Sequence, residues 1–316
     1  MQCRWVAVFN LGFVICLTIV IVVAAAAVSA NAAANAGANA PMSTFHKMNL
    51  WDLSYIPSQG NGIVSINSEY GRYDLKTDYE KTEASDYLTT LALSYAPKND
   101  LVIKLGNTFV SKSALVIPQY PTQYQTHTTF TLLPSISALW RVFSSDQEDF
   151  SVLDVYCVYA PPTSRLYGQN LSLGSRLGFY LGKFEFMGDI MIYWQSEVND
   201  RNSIPSLRYS IKSFDGVFLQ AIIQYDFYKS FWIQAYWGVE INDHRRFDYH
   251  GKNGITSKEN TAFYQIQLGD ELVKDRLLLS VSYRYEVMRS TWILPERSID
   301  QIQNRQIIMI SATLAY

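Results

Sequence analysis

The sequence predicts an all-β fold, an antiparallel transmembrane β-barrel of about twelve strands preceded by a cleavable N-terminal signal peptide. Three observations predict it. The 316-residue chain carries one long apolar run at its front and, after it, none near the length of a membrane helix. The rest alternates apolar and polar residues over segments of about nine to eleven residues, the length at which a tilted strand crosses a bilayer. It is also rich in rings, with 22 Tyr, 16 Phe and 7 Trp against 10 Pro, which suits a barrel with aromatic girdles at two interfaces. A soluble β-sandwich or propeller would alternate too, but in segments of about five or six residues.

The front end divides into two parts. Residues 1–30 read as a secretory signal: Arg4, an apolar run from Val6 to Val28, then small residues that suit cleavage after Val28-Ser29-Ala30 or Ala30-Asn31-Ala32. The alternative is an uncleaved membrane helix, since the run is long enough to span a bilayer. Bulky Ile15 before Cys16 argues against lipidation. Residues 31–61 are a flexible leader and N-terminal segment, and 62–316 the barrel. Loss of the leader removes Cys3 and Cys16 and leaves Cys157 alone, so no internal disulfide is expected. A formal net charge of −2 argues against a nucleic-acid partner.

Period-two alternation defines the strands in order. The first, Gly62 to Arg72, sets Val64, Ile66 and Tyr70 against Ser65, Asn67 and Glu69. The second, Tyr87 to Ala96, shows Tyr87, Leu91, Leu93 and Tyr95, and Pro97-Lys98-Asn99-Asp100 is a compact turn. The third sets Leu101, Ile103 and Leu105 against Lys104. The fourth, from about Thr126 to Trp140, carries Phe130, Leu132, Ile136 and Trp140 on one face. The fifth sets Leu153, Val155, Cys157 and Tyr159 against Asp154. The sixth opposes Leu171, Leu173, Leu177, Phe179 and Leu181 to Ser172, Gly174 and Arg176.

The seventh opposes Phe186, Ile190, Ile192 and Trp194 to Glu185, Asp189 and Gln195. The eighth has Val217, Leu219, Ala221, Ile223 and Tyr225 against Gln220, Gln224 and Asp226. The ninth has Phe231, Ile233, Trp237, Val239 and Ile241 against Gln234, Tyr236 and Glu240. The tenth alternates Tyr264, Ile266 and Leu268 with Gln265 and Gln267. The eleventh alternates Leu277, Leu279, Val281, Tyr283, Tyr285 and Val287 with Ser280, Ser282, Arg284 and Glu286.

The twelfth strand ends the chain. Counting back by twos from Tyr316 gives Leu314, Ala312, Ile310 and Ile308, one apolar row. A chain that ends inside a strand on its aromatic residue resembles the insertion signal of bacterial outer-membrane barrels, with Ile308, Ile310, Leu314 and Tyr316 as its elements. That resemblance implies outer-membrane lipids and the barrel-assembly machinery as partners. Connection lengths agree. Turns near Lys98, Lys183, Lys229 and Lys274 are short, whereas 72–86, 111–125, 161–170, 196–213, 242–260 and 289–303 are long and polar. Outer-membrane barrels have this asymmetry, with long loops outside and termini in the periplasm.

No catalytic constellation, cofactor site or metal site is expected. Outer-membrane phospholipase A is a barrel of similar size, but its His-to-Ser spacing fails here, because Lys252 stands two residues after His250. Asp243-His244 resembles the acid–His pair of the omptin proteases, yet it sits among Arg245, Arg246 and Asp248 and reads as a solvated loop. The histidines His46, His127, His244 and His250 do not cluster with other ligands at metal spacing. Lone Cys157 reads as a small apolar side chain.

Charged residues on the inward rows are the candidate lumen lining: Lys104, Asp154, Arg176, Glu185, Asp189, Asp226, Glu240, Arg284 and Glu286, with Glu69 beside them. Two readings stand side by side. The charges pair across a narrow barrel and satisfy one another, or they line a polar conduit for a solute. Acidic groups outnumber basic ones, so an open pore is expected to favour cations or neutral solutes mildly.

The run Leu91-Ala92-Leu93-Ser94-Tyr95-Ala96-Pro97-Lys98-Asn99-Asp100-Leu101-Val102-Ile103, the exit Tyr159-Ala160-Pro161-Pro162 and the sixth-to-seventh hairpin are similar in layout to the exported proteins named for the MetA pathway of phenol degradation. Those proteins resemble the long-chain fatty-acid transport barrels. The resemblance implies a channel or transporter for small hydrophobic or aromatic molecules, with no enzymatic activity. The alternative is a structural or surface-interaction barrel with a closed lumen. The segment from Ser43 to Asn61 is too short for a substantial plug, though Phe45, Leu50, Trp51, Leu53 and Tyr55 are suited to tuck into the barrel mouth.

Overall fold

In a computed structural model, the protein is a closed antiparallel barrel. The structure describes residues 53 and 55–316 apart from segments 77–79, 119–125, 145–150, 163–168, 182, 201–208, 212–213, 229, 250–251 and 294–297. The signal peptide, Phe45, Leu50 and Trp51 lie outside the described residues.

The described residues form fourteen strands in this order: β1 (Gly62–Lys76), β2 (Glu80–Lys98), β3 (Leu101–Pro118), β4 (Thr126–Ser144), β5 (Ser151–Ala160), β6 (Asn170–Leu181), β7 (Phe184–Gln195), β8 (Val198–Asp200), β9 (Tyr209–Ile211), β10 (Phe214–Tyr228), β11 (Phe231–Tyr249), β12 (Lys252–Val273), β13 (Leu277–Ile293) and β14 (Ser298–Ala315). Twelve of them form the wall. β1 to β7 pair in sequence, β10 joins β7 to β11, and β11 to β14 return to β1. At the seam Gly62 N–H donates to Tyr316 O (2.9 Å) and Tyr316 N–H to Gly62 O (3.0 Å). The Tyr316 ring lies so close over Gly62 that a Cβ there would meet it at 2.5 Å. Closure leaves the wall without an open edge, the condition for a sheet to sit in hydrocarbon. The remaining two strands, β8 and β9, form a small hairpin that leans on the far end of β11.

The register puts every apolar row outside. Leu173 and Ile192 are each 60 % exposed, as only a surface meant for lipid would leave them. Rings gather at the periplasmic end of this belt. Phe179 stacks on Phe186 (4.9 Å), Phe184 meets Tyr225 (4.8 Å), and Tyr225 meets Phe227 edge-on (4.9 Å). Trp140 adds an indole that donates to Asp100 (3.1 Å). This is the interfacial girdle that the aromatic content anticipates. Within the terminal row, Ile308, Ile310 and Tyr316 are exposed, whereas Leu314 is buried.

The long connections differ from the expectation. Most of 72–86, 111–125, 242–260 and 289–303 is not loop but strand, since β1 to β4 and β11 to β14 carry their ladders far beyond the apolar belt. Water tolerates a paired strand with polar side chains on both faces, so hydrogen bonding continues after the alternation that betrays it has faded.

Candidate functional site: the barrel lumen

The inward rows build the lumen, and the two ends of it differ in chemistry. On the wall formed by β4 to β6, Asp154 is fully buried and shared by two arginines. Arg141 Nε binds its Oδ1 (2.9 Å) and Arg176 Nε its Oδ2 (2.8 Å). Tyr156 donates from its hydroxyl to Asp189 Oδ1 at 2.7 Å. Lys104 stands on the neighbouring strand β3, exposed to the lumen.

Across β10 to β13 the lining is a ribbon of amides. Gln224 Nε2 donates to Asp226 Oδ1 (3.0 Å), and Gln234 Nε2 to Gln224 Oε1 (2.5 Å). The Tyr236 hydroxyl lies within reach of Gln234 Oε1 and of Gln267 Oε1 (2.9 Å) and donates its one proton to either, and Gln267 Nε2 donates to Ser280 Oγ (2.9 Å). Gln224 and Gln234 are buried, which is affordable only because each partner is met.

Farther from the periplasmic turns, β1, β2, β13 and β14 contribute a mixed network. Arg305 bridges Asp86 (2.8 Å) and Glu286 (3.2 Å), and Arg284 binds Glu286 (2.7 Å) while lying 3.9 Å over the Phe263 ring. Tyr193 bonds Glu240 and Asn242. Beside the network lies a recess of about 350 Å³, lined by Tyr73, Asp86, Glu259 and Arg305 among others. The larger cavity, about 600 Å³, is instead a notch in the lipid face among Trp140, Val155, Cys157 and Leu173.

The N-terminal segment reaches into the periplasmic mouth. Gln59 N–H donates to Asn99 Oδ1 (2.8 Å) and Gly60 N–H to Ala96 O (2.8 Å), both beside the β2–β3 turn. At its other end Leu53 N–H donates to Glu185 Oε2 (2.8 Å) on β7. Between them, the Tyr55 phenol is within electrostatic reach of Asp275 in the β12–β13 turn. These three anchors belong to separate sectors of the ring of strands, so Leu53 and residues 55–60 lie across the opening. Burial, and then the Asp275 carboxylate, push the Tyr55 hydroxyl above its ordinary pKa. A group whose pKa is raised on docking favours docking while it is protonated and ceases to as pH rises through the raised value. Protease cleavage of this segment is therefore expected to increase above pH ~10, and Tyr55→Phe to remove that dependence.

All nine lumen candidates from the sequence, and Glu69, lie on inward rows. The structure brings Asp154, Arg176, Asp189 and Lys104 to one wall, and Glu69, Arg284 and Glu286 to another. Asp226 stands at the amide ribbon, Glu240 at Tyr193, and Glu185 at the mouth. Arg141, Asp86, Glu259 and Arg305 were missed. All four fall outside the segments read as strand, Arg141 by one residue beyond Trp140. Counting back by twos from Met309 would have reached Arg305.

No family model matches this chain, and no curated protein does. Solved structures do. An outer-membrane channel from Pseudomonas putida F1 superposes with a TM-score of 0.56 at 9% identity, over 85% of this chain and 100% of that one. The transport unit of the autotransporter AIDA-I from Escherichia coli gives 0.51 at 10% identity, over 84% and 93%. The chain has the fold of the bacterial outer-membrane barrels. The two matches differ in function, so this likeness carries the architecture and no more.

Proposed function

We propose that the protein is a passive outer-membrane channel or transporter for small molecules. One observation carries this reading: an apolar outer belt encloses a lumen lined by charged and amide side chains, an arrangement suited to moving a solute past lipid. Hydrophobic or aromatic compounds are the cargo that the resemblance in layout implies. The polarity of the described wall narrows this to molecules that pair an apolar body with a polar group. The reading assigns no catalytic chemistry to the barrel, and takes outer-membrane lipids and the assembly machinery as its partners.

A second reading has its own support. Asp154, Glu185, Gln224 and Gln234 point inward yet are buried, and Leu53 and residues 55–60 lie across the mouth. A structural or surface-interaction barrel with a closed lumen would look the same at these positions. Liposome swelling separates the two. Vesicles holding the refolded protein should swell in small polar and aromatic solutes if it is a channel, and should behave as empty vesicles if the lumen is closed.

A further inference from the structure

The described lumen holds one cation that no carboxylate answers. Lys104 is the fourth residue of β3 and faces inward, exposed, with no hydrogen-bond or ion-pair partner among the described residues. The charge that acts on it is a second cation, the Arg176 guanidinium. Its ladder partners are Ser94 on β2 and Ser137 on β4, so a serine stands beside the root of the lysine side chain on either strand, with Cβ atoms about 5 Å apart. Neither hydroxyl has a partner of its own among the described residues.

The other inward charges differ in kind. Arg141 and Arg176 share Asp154, and Arg284 and Arg305 hold Glu286 and Asp86. Asp189 accepts from Tyr156 and Glu185 from the Leu53 amide. A neighbouring like charge disfavours an ammonium, and an anion that joins it offsets that repulsion.

We infer that the lumen carries an anion subsite at Lys104 and that the solute it takes is a small organic carboxylate. This rests on the channel reading and names its substrate class. Of the cations on this wall, Arg141 and Arg176 share Asp154, and Lys104 alone holds no carboxylate among the described residues, so a single positive charge is left for a solute. That surplus matches a monoanion rather than a dianion such as phosphate. The ammonium carries three N–H donors, enough for both oxygens of a carboxylate, and charge-assisted bonds of this kind are the strong ones; the two serines leave the wall around it polar. The excess of acidic groups elsewhere in the lumen does not oppose this, because those near the site are already engaged.

The test is equilibrium dialysis of the folded, full-length barrel in detergent against benzoate and its neutral isostere benzamide. Benzoate should be held in preference to benzamide. Lys104→Met should weaken benzoate binding at least tenfold, and Lys104→Arg should retain it, with the heat-modifiable folded band present in both variants. Equal retention of benzoate and benzamide, or undiminished benzoate binding by a folded Lys104→Met, overturns the subsite. Binding is read without conductance. A barrel that binds benzoate through Lys104 and conducts nothing would retire the channel and keep the subsite.

Discussion

Replacing Asp154 with alanine is expected to destabilise the barrel by about 3–5 kcal/mol, the range for breaking a buried ion pair from one side. Asp154 is fully buried and receives both Arg141 and Arg176, whose side chains are only 10% and 19% exposed. Without it the two guanidiniums lose the carboxylate they share, and Asp189 on the same wall is already engaged by Tyr156. Urea unfolding in micelles, followed by loss of the heat-modifiable band, measures the difference. A shift below about 1 kcal/mol would mean that water in the lumen solvates these arginines, as at exposed pairs.

The second large effect lies on the opposite face. Ile190, midway along β7, is an exposed member of the apolar belt, and Ile190→Arg is expected to cost about 2–4 kcal/mol in a bilayer. Gln220 is on the adjacent strand β10 and faces the lumen, where an arginine finds water and carboxylates. Gln220→Arg is therefore expected to cost far less. Folding yields into vesicles of both variants give the comparison, and equal losses would contradict the assignment of the two faces.

Much of this architecture was legible because membrane strands are constrained twice. Hydrocarbon demands an apolar outer row and water in the lumen permits a polar inner one, so Leu277 to Val287 could hardly be read otherwise. What escaped lies where one constraint lapses. Beyond the belt, at Asp86, Glu259 and Arg305, both faces are wet, and pairing leaves no pattern in composition. Arg141 stands one residue past Trp140, where the fourth segment was read to stop, and the bulge that shifts the phase of the alternation follows it. The reach of Leu53 to Glu185, 132 residues away, is a backbone donor meeting a side chain, which no local signal marks. The pairing of charges was anticipated as one of two readings, but not that it would leave Lys104 unanswered.

The most direct test of the central claim is single-channel conductance of the refolded protein in planar bilayers, alongside a variant in which Arg176, Glu185 and Asp189 are all neutralised. A channel through this lumen predicts discrete steps in the wild type and an altered ion selectivity in the variant. A folded, heat-modifiable barrel that gives no steps, with a variant that is only less stable, would contradict it.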